Sequence, residues 1–385
     1  MDTLSQKALR KHVSNLCSKI GSRMIGTEGD RRSAEYVESC FLEYGLAVTS
    51  NWMGCEGWDL QSTSLRVGGK PFPAVGNMYS PSASGRGPLV LVESDLPDAR
   101  FRELKGKVAG VYGDFNPFPL RLNRCARKAE KAGAAAVVVI DTNHTTSATK
   151  LIREAALKRL PVMSVSLETG FRLAKLEGET AQCVVKTRRY ESETRDVIGI
   201  LEGGPREICI EAHRDTAPDT PGADDNGSGT VVLLELARLL GESELRHSLR
   251  FVSATGEEFG NVGTPVYVKR FARQLKRIDL MINADCCGGA LCPVHVYVRK
   301  KDTAGPLVER KIKPYRTLTM VRPDRSYGSQ IAEYLAPSVN VVNVICDWTN
   351  ARIHTARDEA SNLSLRKLEE VSHFLRDLIV AYDRL

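Results

Sequence analysis

The stretch "PGADDNGSG", residues 221–229, decides how the rest of the chain is interpreted. It places two adjacent acids, Asp224 and Asp225, among small and polar residues, and an apolar run, "TVVLLELARLL", follows at 230–240. Such a loop is typical of a helix N-terminus, because Asp, Asn and Ser accept hydrogen bonds from free backbone N–H groups and acids suit the positive helix end. It could equally present one carboxylate at a site, provided that the rest of the chain supplies further polar groups.

The second half of the chain alternates between apolar strands and helices. Strand-like segments include "DVIGILEG", "EICIEAH", "LRFVSATGEE", "IDLMINAD" and "VNVVNVICD". The pattern predicts helices between and after them, at 229–241, 264–275, 326–336 and 361–382, with two amphipathic helices near the N-terminus at 4–20 and 33–44. This alternation predicts the α/β class, with a mostly parallel mixed sheet sandwiched by helices.

A middle region interrupts this pattern. Between about 59 and 190 the chain carries short β-rich runs such as "GPLVLVES" and "AAAVVVID", with basic helices at 120–132 and near 168–177. We therefore expect an inserted β-rich domain with its own core at 59–190. Residues 1–58 would form the N-terminal part of the main domain, and residues 191–385 would form its main part.

Composition restricts the class of protein. The chain has 385 residues, 42% of them hydrophobic, which is enough to bury the cores of two domains. The net charge of +7 is scattered and aromatic residues make up 6%, whereas nucleic-acid binding needs a concentrated basic face. We expect no nucleic-acid partner, and no membrane partner because no apolar run approaches the roughly 20 residues of a span. The N-terminus has no signal-peptide pattern and the ten cysteines are scattered, which predicts reduced thiols and a cytoplasmic location.

Polar residues follow several of the predicted strands where each strand ends. His213, the pair Glu257 and Glu258, and Asp285 end three buried strands, and His354 lies in the loop after a fourth. Because ligands of open α/β sheets bind at the carboxyl ends of the strands, we expect these side chains to share one site.

Imidazoles and carboxylates without a cysteine suit a pair of divalent metals, most simply two Zn²⁺ ions. Each ion would take one histidine and one terminal carboxylate, and a further carboxylate would bridge ions ~3.5–4 Å apart. One of the paired glutamates would then remain as a general base. These ligand types alone do not distinguish zinc from cobalt or manganese.

The motifs in their order resemble a known family. The series "AHRD", "PGADDNGSG", "TGEEFG", "INAD" and "IHTARD" is similar to the co-catalytic di-zinc exopeptidases that include bacterial leucyl aminopeptidases and glutamate carboxypeptidases. The segment "GSRMIGTEGDRRSAEYVESCFLEYGL" resembles the N-terminal part of that family. The insertion, with "LKGKVAGVYGD" and "RKAEKAGAAAVVVI", resembles a protease-associated domain.

The resemblance implies a role for each matching residue. The implied metal ligands are His213 with Glu258 on one zinc, Asp285 with His354 on the other, and Asp225 as the bridge. Glu257 would be the general base, and Asp215 would orient the His213 imidazole. The family also implies a cis peptide bond between Asp225 and Asn226. Ile353 stands where carboxypeptidase relatives place a tyrosine, so Tyr327 becomes the candidate for stabilising the reaction intermediate.

The implied activity is that of an aminopeptidase, which hydrolyses the N-terminal bond of a peptide substrate with a metal-held water. Two alternatives stay open. A carboxypeptidase or amidohydrolase could use the same site, with a substrate carboxylate received by basic residues such as Arg214, Arg322, Arg325 or Arg352. A non-catalytic relative would bind or scaffold instead. The insertion could also build a homo-oligomer interface, and we interpret Cys286, Cys287 and Cys292 as buried thiols rather than a thiolate metal site.

Overall fold

The computed structural model describes residues 3–94, 101–113, 120–142, 157–324, 330–335, 338–346 and 351–385. The helices within these ranges are α1 (Thr3–Val13), α2 (Glu28–Glu43), α3 (Leu120–Ala132), α4 (Leu167–Ala174), α5 (Gly229–Leu240), α6 (Gly263–Arg270), α7 (Gly305–Ile312), α8 (Gln330–Leu335) and α9 (Leu365–Tyr382). The strands are β1 (Ala47–Val67), β2 (Lys70–Phe72), β3 (Val75–Gly76), β4 (Ala83–Glu93), β5 (Val108–Gly113), β6 (Ala136–Asp141), β7 (Val162–Val165), β8 (Thr180–Leu201), β9 (Glu207–His213), β10 (Ser248–Ala254), β11 (Ile278–Asp285), β12 (Val294–Val298), β13 (Leu318–Val321) and β14 (Asn340–Cys346). Two wider helical turns lie at Ser14–Ile20 and Ala223–Ser228.

Helix bounds differ from the sequence prediction where a cap or a turn intervenes. The helix expected at 4–20 is α1 followed by the wider turn at Ser14–Ile20. The helix expected at 33–44 begins earlier, since the Thr27 hydroxyl accepts the backbone N–H of Asp30 and caps α2. Among the described residues, no helix is both long and apolar enough to span a membrane.

The main sheet runs in the order β13, β12, β14, β11, β9, β10, β8. The four central strands, β14, β11, β9 and β10, are parallel to one another. β12 and β8 pair antiparallel on the two sides of this group. The predicted fold class, a mixed sheet with a parallel centre and helices on both faces, is confirmed.

Two apolar cores cover the two faces of this sheet. On one face, α1, α2, α5, α7 and α9 pack their buried apolar side chains, such as Leu9, Phe41 and Phe374, against the strands. On the other face, α6 and α8 contribute a smaller core that includes Tyr267 and Ile331. Every residue of β9 and β10 is buried, including polar ones such as Glu211 and Arg250, because helices cover both faces of these strands.

A second group of strands, β4 to β7 with β3, continues from β8. Helix α3 packs its Leu122 side into an apolar core on one face, and α4 packs Leu173 into another core on the opposite face. The expected domain boundaries, after residue 58 and after residue 190, fall inside β1 and β8. That division of the chain stays a prediction.

Strands β1 and β8 form a long antiparallel ribbon that joins the two groups of strands. Their register partners extend from Ala47 with Ile200 to Val67 with Ala181. The first part of β8 also pairs with β4, and its last residues pair with β10. One strand therefore belongs to both groups.

Candidate metal centre

Strand register brings two of the predicted site residues to the same level. His213 is the last residue of β9 and Asp285 is the last residue of the adjacent parallel strand β11. Asn283 is the register partner of Glu211, so His213 and Asp285 each lie two residues further along. On the other side of β9, Ala254 of β10 is the partner of His213, and the turn with Glu257 and Glu258 follows directly.

The loop at 221–229 needs two of its glycines. Gly222 has a φ of +55°, and a Cβ added there would lie 2.2 Å from Thr216 Cγ2. A Cβ at Gly229 would lie 2.2 Å from the carbonyl oxygen of Ala284, because the start of α5 passes directly over β11. The glycines thus let the acidic turn approach the end of the sheet.

Asn226 fastens this turn to its neighbours. Its Oδ1 accepts the backbone N–H groups of Gly229, at 2.8 Å, and Cys286, at 3.2 Å, and its Nδ2 donates to the carbonyl of Ala284. Asn226 is therefore the side chain that caps α5. The peptide bond between Asp225 and Asn226 is cis, as the sequence resemblance implied.

Five predicted metal ligands converge on one point, with Asp225 at its centre. Asp225 Oδ1 lies 3.3 Å from His213 Nε2, which is also 3.3 Å from Asp285 Oδ1. Asp225 Oδ2 lies 2.8 Å from His354 Nε2, which is 3.4 Å from Glu258 Oε1. The donor atoms therefore form two groups, each with one histidine and one terminal carboxylate, and the two groups share Asp225.

The pairing of these ligands differs from the one implied by the family resemblance. His213 was expected with Glu258, and Asp285 with His354, but His213 groups with Asp285, and Glu258 groups with His354. That expected pairing is wrong. Strand adjacency alone does not decide the pairing, since β10 and β11 both flank β9. The physical reason is the distance beyond the strand end: Asp285 ends β11 level with His213, whereas Glu258 lies four residues after the end of β10 and reaches His354.

The spacing of the donor atoms fits zinc. Ligand atoms held about 2.0–2.1 Å from one tetrahedral ion lie about 3.3 Å from one another. Three of the four imidazole–carboxylate distances are within 0.1 Å of this value, at 3.3, 3.3 and 3.4 Å. Nitrogen and carboxylate oxygen are also the donors that zinc takes in hydrolytic sites. The residues present therefore fit two divalent ions bridged by Asp225.

Electrostatics couple the imidazoles to the carboxylates. Burial lowers the pKa of His213, but the charge of Asp285 and hydrogen bonds with Asp215, Asp225 and Asp285 outweigh it and raise this pKa well above its ordinary value. Burial raises the pKa of Asp225, but hydrogen bonds with His213 and His354 lower it well below its ordinary value. Without a metal, the site thus favours cationic imidazole beside anionic carboxylate, and bound metal must displace that proton.

Asp215 contacts both sides of the site. The Nδ1 atom of His213 lies 3.2 Å from the backbone carbonyl of Asp215 and 3.6 Å from its Oδ1. The two carboxylate oxygens accept the backbone N–H groups of Glu257, at 3.3 Å, and Glu258, at 3.1 Å. The carboxylate therefore holds the turn of the paired glutamates as well as lying beside the imidazole, which is the contact that the sequence did not predict.

Two supporting residues were missed by the sequence analysis. Asp358, in the "IHTARD" motif, accepts the backbone N–H groups of Asp224 and Asp225, each at 3.0 Å. Arg23, which is fully buried, donates to five carbonyl oxygens, including those of Pro221 and Gly222. The acidic residue four positions after His354 was the one available signal for Asp358, and nothing in the local pattern marks Arg23.

The remaining candidates fall into three cases. Glu257 is partly exposed beside the metal ligands, as a base that reaches substrate would need to be. Tyr327 and Arg325 lie outside the described residues. Arg214 is fully buried, and its guanidinium donates to Asp30 Oδ1 at 2.7 Å and to three other oxygens. Arg214 is therefore not exposed to receive a substrate carboxylate.

Comparison with known sequences agrees with the motifs. Residues 196–379 match the model of Peptidase family M28, which confirms the resemblance to co-catalytic zinc exopeptidases. Aminopeptidase YwaD of Bacillus subtilis is 27% identical over 72% of this chain and 60% of its own length. The probable lipoprotein aminopeptidase LpqL of Mycobacterium tuberculosis is 28% identical over 73% of this chain and 59% of its own length. The chain thus spans less than two thirds of the length of these curated relatives.

Solved structures share the fold. The zinc aminopeptidase BSAP from Bacillus subtilis superposes with a TM-score of 0.78 and 22% identity, covering 98% of this chain and 95% of its own. A peptidase M28 precursor from Shewanella amazonensis superposes with a TM-score of 0.83 and 16% identity, covering 100% and 97% of the two chains. At these identities the likeness establishes the architecture.

Proposed function

Because residues 196–379 match peptidase family M28 and carry a complete set of metal ligands, we propose that this chain is a di-zinc metallo-aminopeptidase. The observation that carries the proposal is the position of Asp225. Its two oxygens face two different histidines, at 3.3 and 2.8 Å, so one carboxylate serves two ion sites. The curated relatives that are named aminopeptidases support the same activity.

His213, Asp225 and Asp285 would hold one zinc, and His354, Glu258 and Asp225 the other. Zinc bound there would polarise the scissile carbonyl and lower the pKa of water. Glu257 then accepts the proton of the attacking water and delivers it to the leaving amine. The Asp215 carboxylate accepts the backbone N–H groups of Glu257 and Glu258 and so fixes the turn that carries them. Glu258 therefore stays directed at the metal site, and Glu257 stays available as the base.

Charge favours the amino end of a peptide over the carboxyl end. Carboxylates surround the site: Asp215, Asp224, Asp225, Glu257, Glu258, Asp285 and Asp358. Burial raises the pKa of Asp358 to about 8, so this group is mostly neutral at pH 7. The other six carboxylates still supply more negative charge than two divalent ions and the buried Arg23 would supply positive charge. An α-ammonium group is therefore attracted to the site, and Arg214, a candidate receiver for a substrate carboxylate, is buried in other hydrogen bonds.

The experiment compares free and blocked substrates. Protein stripped with a chelator and reloaded with Zn²⁺ is assayed on aminoacyl and peptidyl chromogenic amides, with and without an N-acetyl group. We expect hydrolysis of the free-amine substrates, loss of activity on chelation and recovery on reloading. Cleavage confined to the acetylated substrates would instead support an amidohydrolase, and no cleavage with no metal uptake would support a binding role.

A variant isolates the base. Glu257→Gln should lower kcat by about 10²–10⁴-fold, the range of general acid–base catalysis, with an unchanged metal content of about two ions per chain. Glu202→Gln, at an exposed position outside the site, is the matched control and should leave kcat unaltered. Wild-type turnover in Glu257→Gln would contradict the mechanism.

A further inference from the structure

A second set of possible metal donors lies behind the site already described. It consists of Asp224, Cys292 and Cys346, all three buried. Cys346 is the last residue of β14, Cys292 lies in the loop between β11 and β12, and Asp224 belongs to the acidic turn. One donor atom from each residue lies within 4.8 Å of the other two. Residues from three separate segments of the chain therefore converge on one point.

The carboxylates of the two adjacent acids point to different places. Asp225 faces His213 and His354, as described above. Asp224 Oδ1 accepts the backbone N–H of Gly288 at 3.0 Å. A Cβ added at Gly289 would lie 2.6 Å from Asp224 Oδ2 and 2.7 Å from Cys292 Sγ. The carboxylate oxygen and the sulfur thus face a common space that the missing side chain of Gly289 leaves.

We propose that Asp224, Cys292 and Cys346 form a third cation site, which takes a thiophilic divalent metal such as Zn²⁺ or Cd²⁺. Cys292 would then bind metal, whereas the sequence analysis interpreted it as a buried thiol only. Two sulfurs and one carboxylate oxygen form a donor set for borderline and soft cations, unlike the nitrogen and oxygen set at Asp225. The site lies directly behind the bridging turn, so a cation there would brace the backbone that presents Asp225. This proposal does not depend on the aminopeptidase activity.

Metal binding at this site would leave a small negative charge. Each thiol releases its proton when its sulfur binds the metal, so two protons leave the protein for each ion bound. Two thiolates, one carboxylate and one divalent cation leave a net charge of −1. Lys367 Nζ donates to the carbonyls of Gly289, at 2.9 Å, and Cys292, at 2.6 Å, and brings a positive charge to the same loop.

Other buried cysteines provide the contrast. Cys183, in β8, lies in an apolar core among side chains such as Leu65 and Met163. Burial raises the pKa of the Cys183 thiol to about 12, so this thiol stays protonated and inert at neutral pH. Cys183 is therefore a matched control for a buried cysteine outside the proposed site.

The test is a cadmium titration of the full chain, stripped of metal and kept reduced with a non-thiol reductant. Ultraviolet absorption reports cadmium–sulfur charge transfer, and elemental analysis counts bound ions. Wild type should develop the cadmium–thiolate band and bind about three ions, two at the Asp225 site and one at the thiols. Cys292→Ser and Cys346→Ser should each lose the band and one bound ion, while Cys183→Ser should retain both.

Asp225→Asn separates the two sites, since it should lose the ions at the histidines and keep the cadmium–thiolate band. A wild-type protein that binds cadmium without this band would overturn the proposal, and that measurement needs no variant to fold. A band that survives in the double variant of Cys292 and Cys346, or one lost in Cys183→Ser, would overturn it as well.

Discussion

Asp358 allows a direct test of how the bridging turn is held. Its two carboxylate oxygens accept the backbone N–H groups of Asp224 and Asp225, at 3.0 Å each. Asp358→Asn preserves the size of the side chain but replaces one acceptor oxygen by an N–H₂ donor. One buried backbone N–H then faces a donor and loses its hydrogen bond.

The expected magnitude follows from that single lost bond. A buried donor without an acceptor costs about 1–3 kcal/mol. The metal-free turn can relax to avoid this cost, but metal binding must restore the geometry of Asp225, so the same free energy is subtracted from binding. Since about 1.4 kcal/mol corresponds to a tenfold change, zinc affinity should fall about 10–100-fold. Loss of a group that supports a metal ligand typically has an effect of this size.

The assay is competition for Zn²⁺ with a chromophoric chelator, with thermal unfolding of the metal-free protein measured alongside. Asp383 provides a matched control, because its carboxylate also accepts two backbone N–H groups, those of Arg246 at 3.1 Å and His247 at 2.8 Å. Asp383 lies beside the residue just before the start of β10, at the opposite end of the strands from the metal ligands. Asp383→Asn should therefore reduce stability and leave zinc affinity within about twofold of wild type.

Two results would refute this reasoning. Wild-type zinc affinity in Asp358→Asn would show that the two hydrogen bonds do not position the bridge. An equally large loss of zinc affinity in Asp383→Asn would show that the loss reflects general destabilisation rather than the geometry of the turn.

Three further predictions concern the support of the site and the N-terminal helices. Asp225→Asn should weaken zinc binding by more than the ~10–100-fold typical of residues that support a metal ligand without touching the metal. Asp224→Asn should leave the zinc content of the histidine site unchanged. Equal losses in the two variants would contradict the assignment of Asp225 as the bridge. Arg23→Lys offers three donors to five carbonyl oxygens, so the free energy of unfolding should fall by about 2 kcal/mol or more in urea; a change below about 0.5 kcal/mol would contradict it. Burial, with the charges of Lys11 and Arg238, lowers the pKa of His12 from 6.5 to about 3. At pH values between about 3 and 6.5 the unfolded chain therefore binds one more proton than the folded chain. The free energy of unfolding should drop by about 2 kcal/mol from pH 7 to pH 5, and it should change less with pH in His12→Gln.

The sequence predicted the identity of the site residues better than their arrangement. Apolar runs that end in His213 and Asp285 identify the carboxyl ends of buried strands, and such ends meet at one edge of a parallel sheet. The pairing of ligands depends instead on how far each side chain lies beyond the end of its strand. Both neighbours of β9 lead to a carboxylate, and the local sequence does not state how far the turn after β10 carries Glu258 past the strand end, so the expected pairing of His213 with Glu258 was wrong.

The supporting residues were harder to predict because their role is read from backbone contacts. Asp358 and Arg23 bond to N–H and C=O groups of the acidic turn, and backbone groups carry no sequence signature. The role of Asn226 was easier to predict, since asparagine in the turn just before a helix is a common N-terminal cap. The cis bond before Asn226 followed from family resemblance rather than from residue chemistry.

The ribbon of β1 and β8 has a consequence for how such a chain can change over evolution. Trp52 and Arg195 are register partners, so the chain leaves the main sheet and returns to it at neighbouring points. A change in the residues between Trp52 and Arg195 therefore leaves the order of β8, β10, β9, β11 and β14 in the main sheet unaltered. Segments can be inserted or deleted at the tip of a hairpin without a change in the connections between the strands of the sheet. The predicted metal ligands all lie outside this interval, so the metal site and the residues between Trp52 and Arg195 can diversify at different rates.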